Sequence, residues 1–422
     1  MGFQNRRKFL QQFLSGSAAL SVYPWLSPFV DDIADLTSDG NSEERFWKKV
    51  RKQYTPSKKL INLNNAGVNP QAKMVQNAVS YYENLSNEAP SYYMWRIIDK
   101  EKDMVKEALA NLVGVKGEDI ALVRNASEAL ETIVFGLPLK RGDEVVLSKH
   151  DYPHIKFAWQ QREQRDGIKL KWVSLDLPSS DQGYLVKQFD DQINDRTKLV
   201  CITHITNWNG QVLPVKQIAE AAKAKGAEVM VDAAHTVGQR PLDVANWGID
   251  YLGTSLHKWL GAPFGTGLLY VHPKKRGKLY PMMAGPNPNA KHMKKFEHTG
   301  TKNVALERAI LPALVFHNSI GTERKMQRLQ FLKTYIVERI KDLPGVVIQS
   351  PTNIEFGSAI LLIQVKGKTN LELLKKLERN WNIHGTSSEN ESLSGIRISP
   401  NIYTLLSELD TFVAAMKSLT KI

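Results

Sequence analysis

The stretch that decides the fold is Asp250-Tyr251-Leu252-Gly253-Thr254-Ser255-Leu256-His257-Lys258-Trp259-Leu260-Gly261-Ala262-Pro263. A run of strand type ends in small and polar residues. It then sets one lysine before an aromatic and a Gly-Ala-Pro break. A lysine at a strand end, just before a turn, can be fixed in a cleft. Desolvation there lowers its pKa and turns it into an amine nucleophile. Taken alone, His257-Lys258 reads as a surface lysine at the end of a strand.

The stretch upstream changes that balance. Val229-Met230-Val231-Asp232-Ala233-Ala234-His235 is an apolar run that ends in a carboxylate. A lysine at one strand end and a carboxylate at another is the pair pyridoxal phosphate (PLP) needs. The lysine holds the aldehyde covalently, and the carboxylate keeps the ring nitrogen protonated.

Alternating short strands and helices from about 119 to 271 predict a mostly parallel sheet covered by helices. Ligand-binding residues then gather after the carboxyl ends of the strands. Asp119 to Arg124 is a strand that runs into Asn125-Ala126-Ser127-Glu128, where a helix begins. Free amides and the dipole at a helix start favour an anion, and a plain helix cap is the other reading. Glu144 to Ser148 leads to Lys149-His150-Asp151-Tyr152-Pro153-His154, and Lys198 to Thr203 leads to Asn207. Tyr92-Tyr93-Met94-Trp95-Arg96 reads as an irregular aromatic segment, more often packing than recognition. Phe264-Gly265-Thr266-Gly267 reads as a turn that lets backbone pass close to the lysine. Residues 305 to about 340 are helical by spacing. Residues 346 to 400 alternate strands and helices and form a smaller α+β domain.

With these motifs in order, the chain resembles the class V aminotransferase family of PLP enzymes, over roughly residues 60 to 400. The family includes cysteine desulfurases, isopenicillin N epimerases and related lyases, and the epimerase-like members are the most similar. The resemblance implies PLP-dependent fold type I: an α/β large domain with a seven-stranded sheet, and a small C-terminal domain. It implies Lys258 as the catalytic, cofactor-bearing amine and Asp232 at the ring nitrogen. Asn125, Ala126, Ser127, Ser255, His257 and Thr301 are implied at the phosphate. Asn207 and His235 are implied near the ring oxygen, and Tyr152 stacked on the ring, with His154 in that place if the alignment slips. Arg397, in Gly395-Ile396-Arg397-Ile398-Ser399-Pro400, is implied at the substrate α-carboxylate, with Asn65 on the substrate side. The segment Glu297 to Asn303 is implied to reach the neighbouring subunit's phosphate, which makes a homodimer with shared sites.

The substrate expected is an amino acid, altered at Cα by epimerisation or transamination. A C–S or other β/γ-lyase of the same family is the alternative, and a catalytically silent binding protein on this fold is the alternative of another class. Desulfurases carry a nucleophilic cysteine on a loop before the arginine. Here that loop reads His384-Gly385-Thr386-Ser387-Ser388-Glu389-Asn390-Glu391, without cysteine, which excludes persulfide chemistry there.

Composition agrees with a catalytic globular chain. Its 422 residues exceed one ordinary domain, with 42% apolar and 23% charged residues. The net charge of +13 is spread over small lysine clusters without a long basic block, so no nucleic-acid partner is expected. A single cysteine, Cys201, lies in an apolar run and excludes a disulfide within the chain and a multi-cysteine metal site; no metal is expected. Asn5-Arg6-Arg7-Lys8-Phe9-Leu10 followed by an apolar run resembles a twin-arginine signal, which implies export to the periplasm through that machinery. A basic amphipathic helix of the domain itself is the other reading. The expected division is a signal over 1–30, a linker over 31–45, a PLP-binding large domain over 46–300, and a linking helix with the small domain over 301–422.

Overall fold

The computed structural model describes residues 24–38 and 43–421. Thirteen strands are present among them. They are β1 (Ile61–Asn62), β2 (Ile120–Val123), β3 (Glu144–Ser148), β4 (Lys169–Val173), β5 (Thr197–Thr203), β6 (Glu228–Asp232), β7 (Tyr251–Ser255), β8 (Gly267–Val271), β9 (Val346–Ile348), β10 (Leu361–Val365), β11 (Ile383–His384), β12 (Thr386–Asn390) and β13 (Leu393–Ile398). Seven form the main sheet in the order β2-β8-β7-β6-β5-β3-β4. β3 pairs parallel with β4 and β5, whereas β8 runs antiparallel to both β2 and β7. The fold is the mostly parallel α/β sheet that the strand–helix alternation implies. Strands covered on both faces must be apolar throughout, and Leu199, Val200, Cys201 and Ile202 of β5 are all buried.

Contacts divide the chain into two compact units. The first takes the chain up to Thr55, then Pro70–Lys140 and Asp232–Arg324. The second takes Pro56–Asn69, Arg141–Val231 and Lys325–Ile422.

In the first unit, the helix Ala126–Gly136 lies against β7 and β8. Gly253 of β7 makes this approach possible, because a Cβ there would come within 2.7 Å of the Leu130 side chain. The helix Ile310–Ile320 is buried along its whole length, as an apolar segment without a polar face must be. Residues 24–30, expected within a signal, belong to this unit. Trp25, Leu26 and Phe29 are buried, and the Trp25 indole donates to Tyr82 Oη at 3.0 Å. Residues 31–38, expected as linker, lie in the helix Val30–Ser38, which buries Ile33 and Leu36. The paired arginines themselves lie outside the described residues. The aromatic stretch read as irregular is helical: a short turn over Pro90–Tyr92 passes into a wide turn with π-type bonding over Tyr93–Ile98. Tyr92 and Trp95 point to solvent there.

In the second unit, β12-β13-β10-β9 form an antiparallel sheet, as expected of the smaller C-terminal part. Its core joins Leu361, Ile363, Ile396 and Ile398 to Leu373, Leu377, Phe412 and Met416 from two helices. β1 adds to β11 in parallel, which ties Ile61–Asn62 to the C-terminal sequence.

Candidate active site

In the first unit, Asp232 closes β6, and Ser255 closes β7 three residues before Lys258. The chain after β6 is stitched to β7 by Ala233 N–H donating to Gly253 O (2.9 Å) and Thr254 Oγ1 donating to Ala233 O (2.9 Å). These bonds fix where Asp232 and His235 emerge. Lys258 Nζ lies 3.1 Å from His235 Nε2, and the Trp259 indole N–H donates to His235 Nδ1 at 3.2 Å. The Asp232 carboxylate accepts the Ala234 amide at 2.8 Å. Burial raises its pKa, against that amide bond and the charge of Lys258. A carboxylate so placed gains most from a further cationic N–H donor, because the low dielectric strengthens any pair it makes.

The helix starting at Ala126 presents an N-terminus of the kind that suits an anion. Its N-cap is Asn125, whose Oδ1 accepts the Glu128 amide at 2.9 Å. Ser255 Oγ accepts the Ala126 amide at 2.9 Å, which leaves its own proton to donate. Ser127 is the second residue of that helix, half-buried at the entrance. His257 Nδ1 lies 3.1 Å from Thr266 O. Burial first, then Lys258, lowers the His257 pKa, so this ring is held neutral. Thr301 is exposed on the rim of a cavity of about 500 Å³ that Asn125, Arg124, Met283 and Lys302 also line. The structure thus brings Thr301 to the Asn125 turn. Neither Ser127 nor Lys258 lines that cavity.

In the second unit, Arg397 lies on β13 with its fork engaged. Nη1 donates to Asn207 O at 2.8 Å and Nη2 to Asn64 Oδ1 at 3.2 Å. Its Nε and the Asn207 Oδ1 are buried with no hydrogen-bond partner among the described residues. Burial lowers the Arg397 pKa to about 10, with Tyr152 acting the other way. Tyr152 precedes the helix Pro153–Asp166, and its ring stacks on His154 at 5.5 Å and 29°. Tyr152 and His154 thus offer a pair of stacked flat rings at the start of that helix.

Asn65 corrects the sequence reading. It is fully buried, with Nδ2 donating to Ser399 O (2.9 Å) and Oδ1 accepting from Tyr403 (2.7 Å) and Asn62 (3.1 Å). Its side chain ties the segment after β1 to the end of β13. The neighbour Asn64 is the one that reaches Arg397. The segment read as a loop, His384 to Glu391, is also different: it forms β11 and β12, which turn at Glu391 (φ 52°) into β13. The hairpin is fastened by Ser388 Oγ donating to Trp208 O (3.2 Å), and Lys149 Nζ lies 3.8 Å from Glu391. A two-residue turn needs φ > 0, which Glu391 does not advertise in sequence.

The residues fit a pyridoxal phosphate. A helix entrance ringed by hydroxyls suits a phosphate. A buried carboxyl in the lysine's field suits a ring nitrogen. Within the second unit taken by itself, Arg397 Nε and Asn207 Oδ1 have no hydrogen-bond partner among the described residues, and their burial is costly until something pairs with them.

Comparison with known proteins agrees. The chain is 25% identical over 391 residues to isopenicillin N epimerase of Streptomyces clavuligerus, which covers 89% of this chain and 98% of that protein. It is 28% identical over 334 residues to a probable cysteine desulfurase of Mycolicibacterium paratuberculosis, covering 75% of this chain and 47% of that one. Among solved structures, a cysteine desulfurase from Thermococcus onnurineus NA1 superposes with a TM-score of 0.79 at 22% identity, covering 88% and 98% of the two chains. The cystine C-S lyase C-DES superposes at 0.78 and 22% identity, covering 85% and 98%. The profile of one family, aminotransferase class V, matches residues 61–412, from β1 into the final helix, and the chain belongs to that family.

Proposed function

We propose that the chain is a PLP-dependent enzyme that acts at the α-carbon of an amino acid, by epimerisation or transamination. The observation that carries this is the placement of Asp232 and Lys258 in one unit, at two strand ends, close enough that the lysine's charge acts on the buried carboxyl. When bound, the pyridine ring supplies an electron sink for negative charge developed on Cα.

The residues of the chain do the rest. Lys258 Nζ would carry the cofactor and, as a free amine, would accept the Cα proton. Asp232 holds positive charge at the ring nitrogen. Asn125, Ala126, Ser127, Ser255, His257 and Thr301 hold the phosphate, and Asn207 and His235 serve the ring oxygen. Arg397 binds the α-carboxylate through charge-assisted hydrogen bonds, with its free Nε as one donor. Epimerisation requires a second acid on the opposite face of Cα, and Tyr152 is our choice for it. The sole cysteine, Cys201, supports this choice over persulfide chemistry. It is buried in β5, and burial pushes its pKa well up, so it is no nucleophile.

The enzyme works as a homodimer in this proposal. Phe264, Tyr280, Met282 and Met283 are each about half exposed, more apolar surface than one segment of a monomer needs to show. Export through a twin-arginine signal remains part of the proposal.

The test is absorbance of purified protein loaded with PLP. A visible band that borohydride removes, and that Lys258→Ala lacks while keeping the wild-type melting temperature, is expected together with loss of turnover. A Lys258→Ala variant that still turns over amino acids would overturn the assignment.

A further inference from the structure

The geometry around Lys258 fixes a proton. Trp259 is only 1% exposed, and its indole nitrogen can only donate. It lies 3.2 Å from His235 Nδ1, so Nδ1 must be the bare, accepting nitrogen. An imidazole with Nδ1 bare is neutral and carries its hydrogen on Nε2. Nε2 in turn faces Lys258 Nζ at 3.1 Å. An N–H directed there needs a lone pair to meet. The neutral amine has one; the ammonium has three hydrogens and none.

We propose that Trp259 is a positioning residue: by pinning His235 as the Nε2–H tautomer, it holds Lys258 as the free amine. Only that form adds to an aldehyde or accepts a proton. The use of the amine rests on the PLP reading of Lys258; the tautomer does not.

Neither Asp232 nor His257 accounts for this state. Asp232 and Lys258 stabilise each other's charged forms, which favours the ammonium. His257 is held neutral by burial, and the ammonium's charge works against it. The His235–Trp259 pair opposes Asp232. The sequence hides it, because a tryptophan after the lysine reads simply as packing.

The proposal is tested on cofactor-free protein carrying ¹⁵N-labelled histidine, the His235 signals being those lost in His235→Gln. Wild type should show bare Nδ1 and protonated Nε2. Trp259→Phe, or benzothienylalanine placed at 259 should the phenylalanine variant fail to fold, removes the N–H and should yield mixed tautomers or a protonated ring. In parallel, Lys258 is trapped with formaldehyde and borohydride at pH 7 and quantified by peptide mass spectrometry. Its rate should fall about tenfold in the variant, the equivalent of one unit in the amine pKa. A wild-type His235 carrying hydrogen on Nδ1, or a tautomer and trapping rate unchanged by loss of the indole N–H, overturns the proposal. Both readings need no bound PLP, so failure of the cofactor assignment would show separately, as the expected wild-type tautomer, with the expected change in the variant, in a protein that never becomes coloured.

Discussion

Gly267→Ala is the sharpest probe of how the proposed phosphate cradle is built. Gly267 opens β8, paired with Val123 of β2 on one side and Ser255 of β7 on the other. A Cβ placed there would sit 2.7–2.8 Å from the N, Cα and C atoms of Asn125. These are backbone atoms of the helix N-cap and cannot swing aside as a side chain does. Ordinary contact begins near 3.4 Å, so the Asn125 turn must retreat by more than half an ångström. Forcing a methyl into such a contact costs about 1–3 kcal/mol. The retreat pulls the Ala126 amide away from Ser255 Oγ, so much of the cost should fall on cofactor affinity. PLP binding is then expected to weaken by about 5- to 100-fold, since about 1.4 kcal/mol is a factor of ten. Gly265→Ala in the same turn is the control. Gly265 has φ 80° but nothing within 4 Å of its Cβ position, so alanine there incurs only backbone strain, about 1 kcal/mol, and moves nothing near Asn125. The assay is fluorescence titration of apo protein with PLP, with melting temperatures measured on the same samples. Equal affinity and equal melting temperature for Gly267→Ala and wild type would refute the reasoning. So would a loss of affinity in Gly265→Ala as large as that in Gly267→Ala.

Three further outcomes are expected. Arg397→Ala should raise KM for amino acids by about 10- to 100-fold, the worth of a charge-assisted hydrogen bond, and lower kcat less; an unchanged KM in steady-state assays would move the carboxylate site elsewhere. His150 is buried with neither ring nitrogen partnered among the described residues, and burial lowers its pKa to about 4. Its folded pKa lies below the unfolded value near 6.5, so the unfolded chain takes up the proton first and stability falls as pH drops through that window. The loss should reach about 3 kcal/mol by pH 4, and denaturant melts of His150→Gln should be flatter by that amount between pH 7 and 4. Residues 1 to 40 fused to a reporter should be exported, with loss of export on Arg6→Lys/Arg7→Lys; a fusion that stays inside the cell removes the signal. Because Trp25, Leu26 and Phe29 are packed into the fold, trimming through residue 38 should lower the melting temperature.

The order and type of the main elements were legible in the sequence because they are local. Apolar runs of strand length, broken by turns and amphipathic stretches, place β2 through β8 and the helices between them. The same runs set Ser127, Tyr152, Asn207, Asp232 and Lys258 each at or after a strand's carboxyl end. The lack of cysteine in residues 384–391 was legible for the same reason: it needs only reading.

What tertiary structure decided was which of two adjacent side chains faces inward and what it meets. Asn64 and Asn65 look alike in sequence, yet one bonds Arg397 and the other is spent on Ser399 and Tyr403. The hairpin before Arg397 exists because β13 offers its edge to β12, a pairing that no local propensity in Thr386 to Asn390 specifies. Gly267 makes room for the Asn125 turn, remote in sequence, and not for the lysine beside it. The His235 tautomer depends on an indole across a turn, at a distance only folding sets. Periodicity and residue type fix the elements, because backbone geometry repeats along the chain. Partners across the fold are fixed by close packing, which selects single contacts and leaves no periodic trace.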